Sequence, residues 1–271
     1  MNDSISKIFS LKGKVVVLTG SAGRIGSRFA QVLSSAGADL ILVDIEKNTN
    51  EKLASKLTKQ YGNKITSHPT DFSNEKEVKK LANQVVKSNK KIDVLINNAH
   101  YLPREHPQRD SNFEEYPLDL WDETISKNLR GIFLCCREFG KHMAKQKSGN
   151  IVNVSSIYGI TGPDQRIYGK SRLNSPAFYS TTKGGLVNLT KYLAAYWNGK
   201  NIRVNTLTLG GVFDKKLHTD KNFIKKYSEK TMIGRMAKTS DYDGAILFLT
   251  SDSSSYMTGA NLIVDGGWTS W

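Results

Sequence analysis

The chain has 271 residues, 38% of them hydrophobic, and a formal net charge of +14 at pH 7, which is ample material for one large core. No run approaches the roughly 18 apolar residues of a membrane span, and the first residues lack the charged-then-apolar layout of a secretory leader, so a cytoplasmic protein is expected. The excess charge is dispersed, as where Lys76, Lys79, Lys80 and Lys87 mix with Glu75 and Glu77; without zinc-finger spacing or an aromatic RNA-binding motif, it reads as solvated surface and not as a nucleic-acid or membrane face.

In chain order, short apolar runs alternate with amphipathic stretches. Buried strands are predicted at Val15–Thr19, Leu40–Val43, Val94–Ile96, Ile151–Val154, Val204–Leu207 and Leu262–Val264, with a weaker one at Lys64–Ser67. Helix-like segments fall near 25–36, 51–60, 74–89, 119–146, 179–198 and 239–250. Such alternation predicts an α/β fold: a doubly wound, Rossmann-like parallel sheet of about seven strands with helices on both faces. No repeat or linker divides the chain, so residues 1–271 form one expected domain. Two Pro- or charge-rich stretches, 100–118 and 159–177, interrupt the rhythm, and 212–230 has the makings of a lid. The first two follow strands directly and should emerge at the carboxyl edge of the sheet, where such folds bind ligands. Cys135 and Cys136 are adjacent and apolar in context, which predicts two packed free thiols.

The first strand ends in Thr19-Gly20-Ser21-Ala22-Gly23-Arg24-Ile25-Gly26, and a helix follows. Glycines in such a turn let the backbone approach a pyrophosphate, which the helix N-terminus attracts through its amides and dipole. Asp44 closes the second strand, 18 residues after Gly26. A carboxylate there holds ribose hydroxyls and repels a 2′-phosphate, favouring NAD over NADP; Arg24 complicates the choice, since a cation near the phosphates helps either. Further on, Tyr179 and Lys183 stand four residues apart on one predicted helix face. An ammonium beneath a phenol favours the ionised form, as general acid/base work requires. His68, His106, His142 and His218 show no metal-ligand spacing, and no metal is expected.

These motifs, in this order, resemble the classical short-chain dehydrogenase/reductase family from Gly13 to Gly267. The carriers are TGSAGRIG at 19–26, Asp71-Phe72, Asn97-Asn98-Ala99, Asn128, Ser155-Ser156, YSTTK at 179–183 and Val264-Asp265-Gly266-Gly267. The resemblance implies an NAD(P)-dependent oxidoreductase with Asn128, Ser156, Tyr179 and Lys183 as its catalytic group. Ser156 would hold the substrate oxygen, Tyr179 would exchange the proton, and Lys183 would hold the nicotinamide ribose. Asn128 would orient a water linking Lys183 to solvent. Cofactor contacts are implied for Gly20, Ser21, Arg24, Ile25, Gly26, Asp44, Asp71, Phe72, Asn98, Ala99, Tyr179, Lys183 and Val212.

Several residues depart from the family pattern. Arg24 replaces the second motif glycine, His100 stands where a glycine follows Asn-Asn-Ala, Leu209 replaces a proline, and Asp214 stands where a threonine often meets the nicotinamide amide. Ser156 and Tyr179 are 23 residues apart, about twice the family's usual gap. The extra loop should cover the substrate pocket and, with the 100–118 loop and the lid, ring it with positive charge. An anionic substrate follows, with His100, Arg166 and Arg172 as its candidate contacts. The insert, the Gly266–Trp271 tail and the 183–197 helix narrow the resemblance to oxidoreductases of bacterial surface-sugar pathways. These include the flagellin-modification type associated with legionaminic and related nonulosonic acids. The resemblance also implies a homo-oligomer, a tetramer or dimer, joined through the helices at 119–146 and 179–198. Two alternatives stand beside this reading: a reductase of another carbonyl class (a 3-oxoacyl thioester or a polyol), or a catalytically silent nucleotide-binding scaffold. The intact catalytic group weighs against the second.

Overall fold

All five residues of Val15–Thr19 (β1) are buried, as happens when a strand runs through the middle of a sheet covered on both faces. In the computed structural model, which describes residues 3–169 and 174–271, β1 is an inner strand of a seven-stranded parallel sheet. With β2 (Asp39–Asp44), β3 (Ile65–Pro69), β4 (Val94–Asn97), β5 (Gly149–Ser156), β6 (Ile202–Leu209) and β7 (Asn261–Val264), the order is β3-β2-β1-β4-β5-β6-β7. The direction of winding therefore reverses between β1 and β4, which opens a crevice at their carboxyl ends.

Side chains alternate across the sheet with period two, so the inner strands feed two cores. On one face Val15, Val17, Ile41 and Val43 meet Val78, Leu81 and Val85 of α4 (Glu75–Asn89), Cys135 and Phe139 of α6 (Gly131–Gln146), and Leu186 of α7 (Ala177–Tyr196). On the other, Val16, Leu18, Leu40 and Leu42 meet Phe29 and Leu33 of α2 (Arg24–Ser35), Leu57 of α3 (Lys47–Tyr61) and Ile246 of α9 (Asp243–Thr250). Each fully buried aliphatic side chain contributes roughly 1.5–3 kcal/mol, which makes these two layers the main source of stability. Cys135 and Cys136 are buried and unpaired.

The predicted helix at 119–146 is interrupted. It runs as α5 (Leu118–Ile125), a wide π-type turn at Ser126–Arg130, then α6. Two helices were not predicted: α1 (Asp3–Phe9) and α8 (Lys221–Glu229). Asp220 caps α8 by accepting from the Asn222 amide at 2.8 Å. A short helical turn in the insert, Gln165–Tyr168, packs on α8, and Ile157, Ile167, Tyr227, Met236 and Trp268 form a third, smaller core. The 157–168 segment and the α8 segment thus brace each other above the carboxyl edge of the sheet.

Candidate active site

The turn after β1 fits a closely approaching phosphate. Gly20 has φ +66°, and a Cβ on Gly26 would stand 2.0 Å from the Gly20 carbonyl oxygen, so the turn closes only without side chains. No side chain caps α2, whose first amides remain available to an anion. Asn98 donates from its amide to the carbonyls of Thr19 and Gly20 at 3.1 and 3.0 Å, and the Ala99 amide donates to the Thr19 hydroxyl; together they stitch the two lips of the crevice. Asp44 ends β2 with its carboxylate accepting from the Ala22 and Glu46 amides at 2.9 and 3.0 Å.

Some expected cofactor contacts are turned to structural work. The Ser21 side chain is fully buried and donates to Asn50, away from the crevice, leaving only its backbone there. Asp71 accepts from the amide and hydroxyl of Ser73, and Phe72 packs against Gly131 and the core. Ile25 and Val212 line the cleft described next.

Ser156, Tyr179 and Lys183 meet at the end of β5. A Cβ on Gly159 would lie 2.6 Å from the Lys183 carbonyl carbon, and Ser155 donates to the Lys183 carbonyl oxygen at 2.9 Å. That close approach seats the first turns of α7 on the strand end. Ser156 and Tyr179 face each other, and the Ser156 hydroxyl favours the phenolate; burial acts more strongly and holds the phenol above its ordinary value. Lys183 is 5% exposed, burial pushes it down to about 8, and its Nζ donates to the Val154 carbonyl oxygen at 2.9 Å. Its Nζ lies 6.0 Å from the Tyr179 ring centroid. The expected lowering of the phenol by a cation beneath it is therefore not present; desolvation of both groups dominates.

Asn128 sits in the π-type turn, and its side chain grips the backbone of Tyr101, accepting from its amide at 2.7 Å and donating to its carbonyl at 3.0 Å. In this arrangement Asn128 pins the start of the 100–118 loop, a function sequence reasoning did not foresee. His100 lies beside it, its ring edge-on to Tyr179 at 5.0 Å between centroids. Its Nε2 is buried with no hydrogen-bond partner, and burial, then the Lys183 charge, push the imidazole well below its ordinary value.

Ser156, Tyr179, Lys183 and His100 line a cleft of about 460 Å³, which continues into an outer chamber of about 550 Å³. Part of the wall is aromatic: Tyr158, Tyr168, Phe223 and Tyr227 line the cleft, Tyr168 stacks on Phe223, and Trp268 backs Tyr158 edge to face. The expected ring of cations is thinner than the sequence suggested. Arg166 is 88% exposed, bound to Asp164 at 2.8 Å, and lines neither chamber. Arg172 lies outside the described residues. Arg104 and Arg109 of the 100–118 loop do line the outer chamber, Arg109 in a pair with Asp110. Sequence reasoning missed the aromatic wall, drawn from four separate segments, and also missed that Arg24 pairs with Asp214 at 2.9 Å.

Residues 20–269 match a family model described as enoyl-(acyl carrier protein) reductase. The chain is 32% identical over 98% of its length to the sorbose reductase of Candida albicans, covering 90% of that protein. It is 30% identical to the post-translational flagellin modification protein A of Campylobacter coli, over 95% of this chain and 99% of the relative. Among solved structures, a short-chain dehydrogenase from Leptospira borgpetersenii with bound NAD⁺ superposes with a TM-score of 0.85 at 34% identity, covering 99% of this chain and 97% of that one. A gluconate 5-dehydrogenase from Burkholderia cenocepacia in complex with NADP and tartrate gives 0.86 at 26% identity, covering 98% and 99%.

Proposed function

The chain belongs to the classical short-chain dehydrogenase/reductase family, and from that premise we propose that it interconverts a secondary alcohol and a ketone on a sugar-derived, anionic metabolite with NAD(H). The convergence of Ser156, Tyr179 and Lys183 in one cleft at the carboxyl edge of the sheet carries the reading. Ser156 donates to the substrate oxygen and fixes it near Tyr179. In oxidation Tyr179 takes the hydroxyl proton; in reduction it returns one. Lys183 is placed to hold a ribose hydroxyl and, once a ligand draws it from Val154, to stabilise the phenolate. The bound nicotinamide supplies the hydride acceptor or donor. Gly20, Gly26 and the uncapped start of α2 suit its pyrophosphate, while Asp44 suits an unphosphorylated adenosine ribose.

The anionic end of the substrate is assigned to the outer chamber, where Arg104 and Arg109 can take a carboxylate or phosphate. A flagellin-modification relative agrees with a surface-sugar precursor. The aromatic walls favour a second reading, an uncharged polyol or sugar, in line with the sorbose reductase relative. Phe133, Tyr192 and Tyr196 are exposed on α6 and α7, and we assign that face to contact between copies of this chain, measurable as oligomeric state by light scattering. Among the described residues no helix is long and apolar enough to cross a membrane.

The test is turnover of purified protein with NAD⁺ and with NADP⁺ against matched polyols, sugars, aldonic acids and sugar phosphates. Faster reaction of the acids and phosphates, lost in Arg104→Gln, supports the anionic reading; equal or better reaction of the neutral compounds supports the second. Preference for NADP⁺ would overturn the role given to Asp44.

A further inference from the structure

Two residues that break the family pattern are each other's ion-pair partners. Arg24 opens α2 beside the phosphate turn, and Asp214 belongs to the loop after β6; their charged groups meet at 2.9 Å. The crevice between β1 and β4 lies between those two segments, since β6 stands beyond β4 and β5 in the sheet. The pair therefore bridges the groove that a dinucleotide has to enter. Asp214 is held for this by its own turn, its Oδ1 accepting from the Lys216 amide at 2.8 Å and its amide donating to His218 Nδ1 at 2.9 Å. Arg24 and His218 line the cleft itself.

We infer that Arg24 and Asp214 form an exchangeable clasp over the cofactor crevice, in which Asp214 competes with the cofactor's pyrophosphate for the Arg24 guanidinium. The inference rests on the dinucleotide reading above. Both partners are partly exposed, at 37% and 24%, so the pair opens at small cost, about fivefold in affinity. A pyrophosphate brings two negative charges against one carboxylate, and Arg can bind it through two parallel hydrogen bonds. The clasp thus weakens cofactor binding and keeps the loop seated between turnovers. A threonine at 214 with a glycine at 24 could do neither.

Titration calorimetry with ADP-ribose and with NADH tests this on the wild type, Asp214→Asn, Arg24→Gln and the double variant. Asparagine retains the acceptor for the Lys216 amide but not the charge, and ADP-ribose carries the pyrophosphate without the nicotinamide. Expected is about fivefold tighter ADP-ribose binding in D214N, with slower release of NADH in stopped-flow displacement. The gain should vanish when Arg24 is already Gln. Unchanged or weaker ADP-ribose binding in D214N, or the same gain without Arg24, overturns the clasp while leaving the cofactor reading intact. Failure of the wild type to bind either probe removes the dinucleotide reading and the clasp with it.

Discussion

Replacing Lys183 with methionine is expected to stabilise the protein while abolishing turnover. Burial pushes this ammonium down to about 8 from its ordinary 10.5. At roughly 1.4 kcal/mol per pH unit of displacement, keeping it charged at neutral pH costs the fold about 3 kcal/mol. Methionine fills much the same space and needs no solvation, but it leaves the Val154 carbonyl without its lysine donor, a loss of about 1 kcal/mol. The net gain at pH 7 is therefore about 2 kcal/mol. Between pH 8 and 10.5 the unfolded chain keeps the Lys183 proton and the folded protein does not, so wild-type stability rises with pH across that window. As pH falls through 8, that contribution is lost. Above 10.5 the lysine is neutral in both states, and the advantage of the variant disappears. Urea denaturation of both proteins at pH 7 and near pH 10.5 measures it, and taking the difference cancels the other titrating groups. A variant less stable than wild type at pH 7, or an equal increment at both pH values, would refute the reasoning.

Tyr179→Phe should lower kcat by about 10²–10⁴ while leaving NADH affinity within a few-fold, read by steady-state kinetics and fluorescence titration; full turnover would sink the mechanism. Gly26→Ala forces a Cβ to within 2.0 Å of the Gly20 oxygen, so a loss of about 1–3 kcal/mol in urea and a parallel loss of ADP-ribose binding are expected. Asp44→Ser should raise the NADPH-to-NADH ratio of kcat/KM at least about tenfold; no change would show that Asp44 serves only the Ala22 and Glu46 amides. Burial raises the Cys135 thiol well above its ordinary value and Cys136 to about 12, so neither should react with iodoacetamide at pH 8 until urea unfolds the chain.

Much of the fold was legible because the sheet is buried on both faces: a short unbroken apolar run such as Val15-Val-Val-Leu-Thr19 suits a strand covered above and below far better than a half-exposed one. The grouping of Ser156, Tyr179 and Lys183 was legible on different grounds, since Tyr179 and Lys183 share a helix turn and Ser156 ends a strand. Helix α8 could have been read from Asp220 as a cap before Phe223, Ile224 and Tyr227 at helical spacing. Arg166 misled because its sign was visible and its neutralising partner, Asp164, was not weighed, though it stands only two residues back. The aromatic wall and the Arg24–Asp214 pair were out of reach for a stronger reason. Their members are brought together by tertiary folding alone, and a side-chain pattern within one segment carries no trace of such contacts.

Three unfavourable groups stand together where the chemistry is assigned. Lys183 keeps a charge in a dry site, Tyr179 is held above its ordinary value, and the His100 Nε2 is buried without a partner. A fold selected for stability alone would replace each with an apolar side chain, as the Lys183→Met prediction makes explicit. The ligand that relieves these costs can be described from what they lack. It must offer an oxygen to the phenol and Ser156, and a hydroxyl acceptor that draws the ammonium from Val154. A polar atom within reach of His100 would satisfy the third. A carbonyl or carbinol beside a ribose supplies the first two. The third points to a second oxygen on the substrate, near the reacting carbon, as sugars and polyols have and simple alcohols do not.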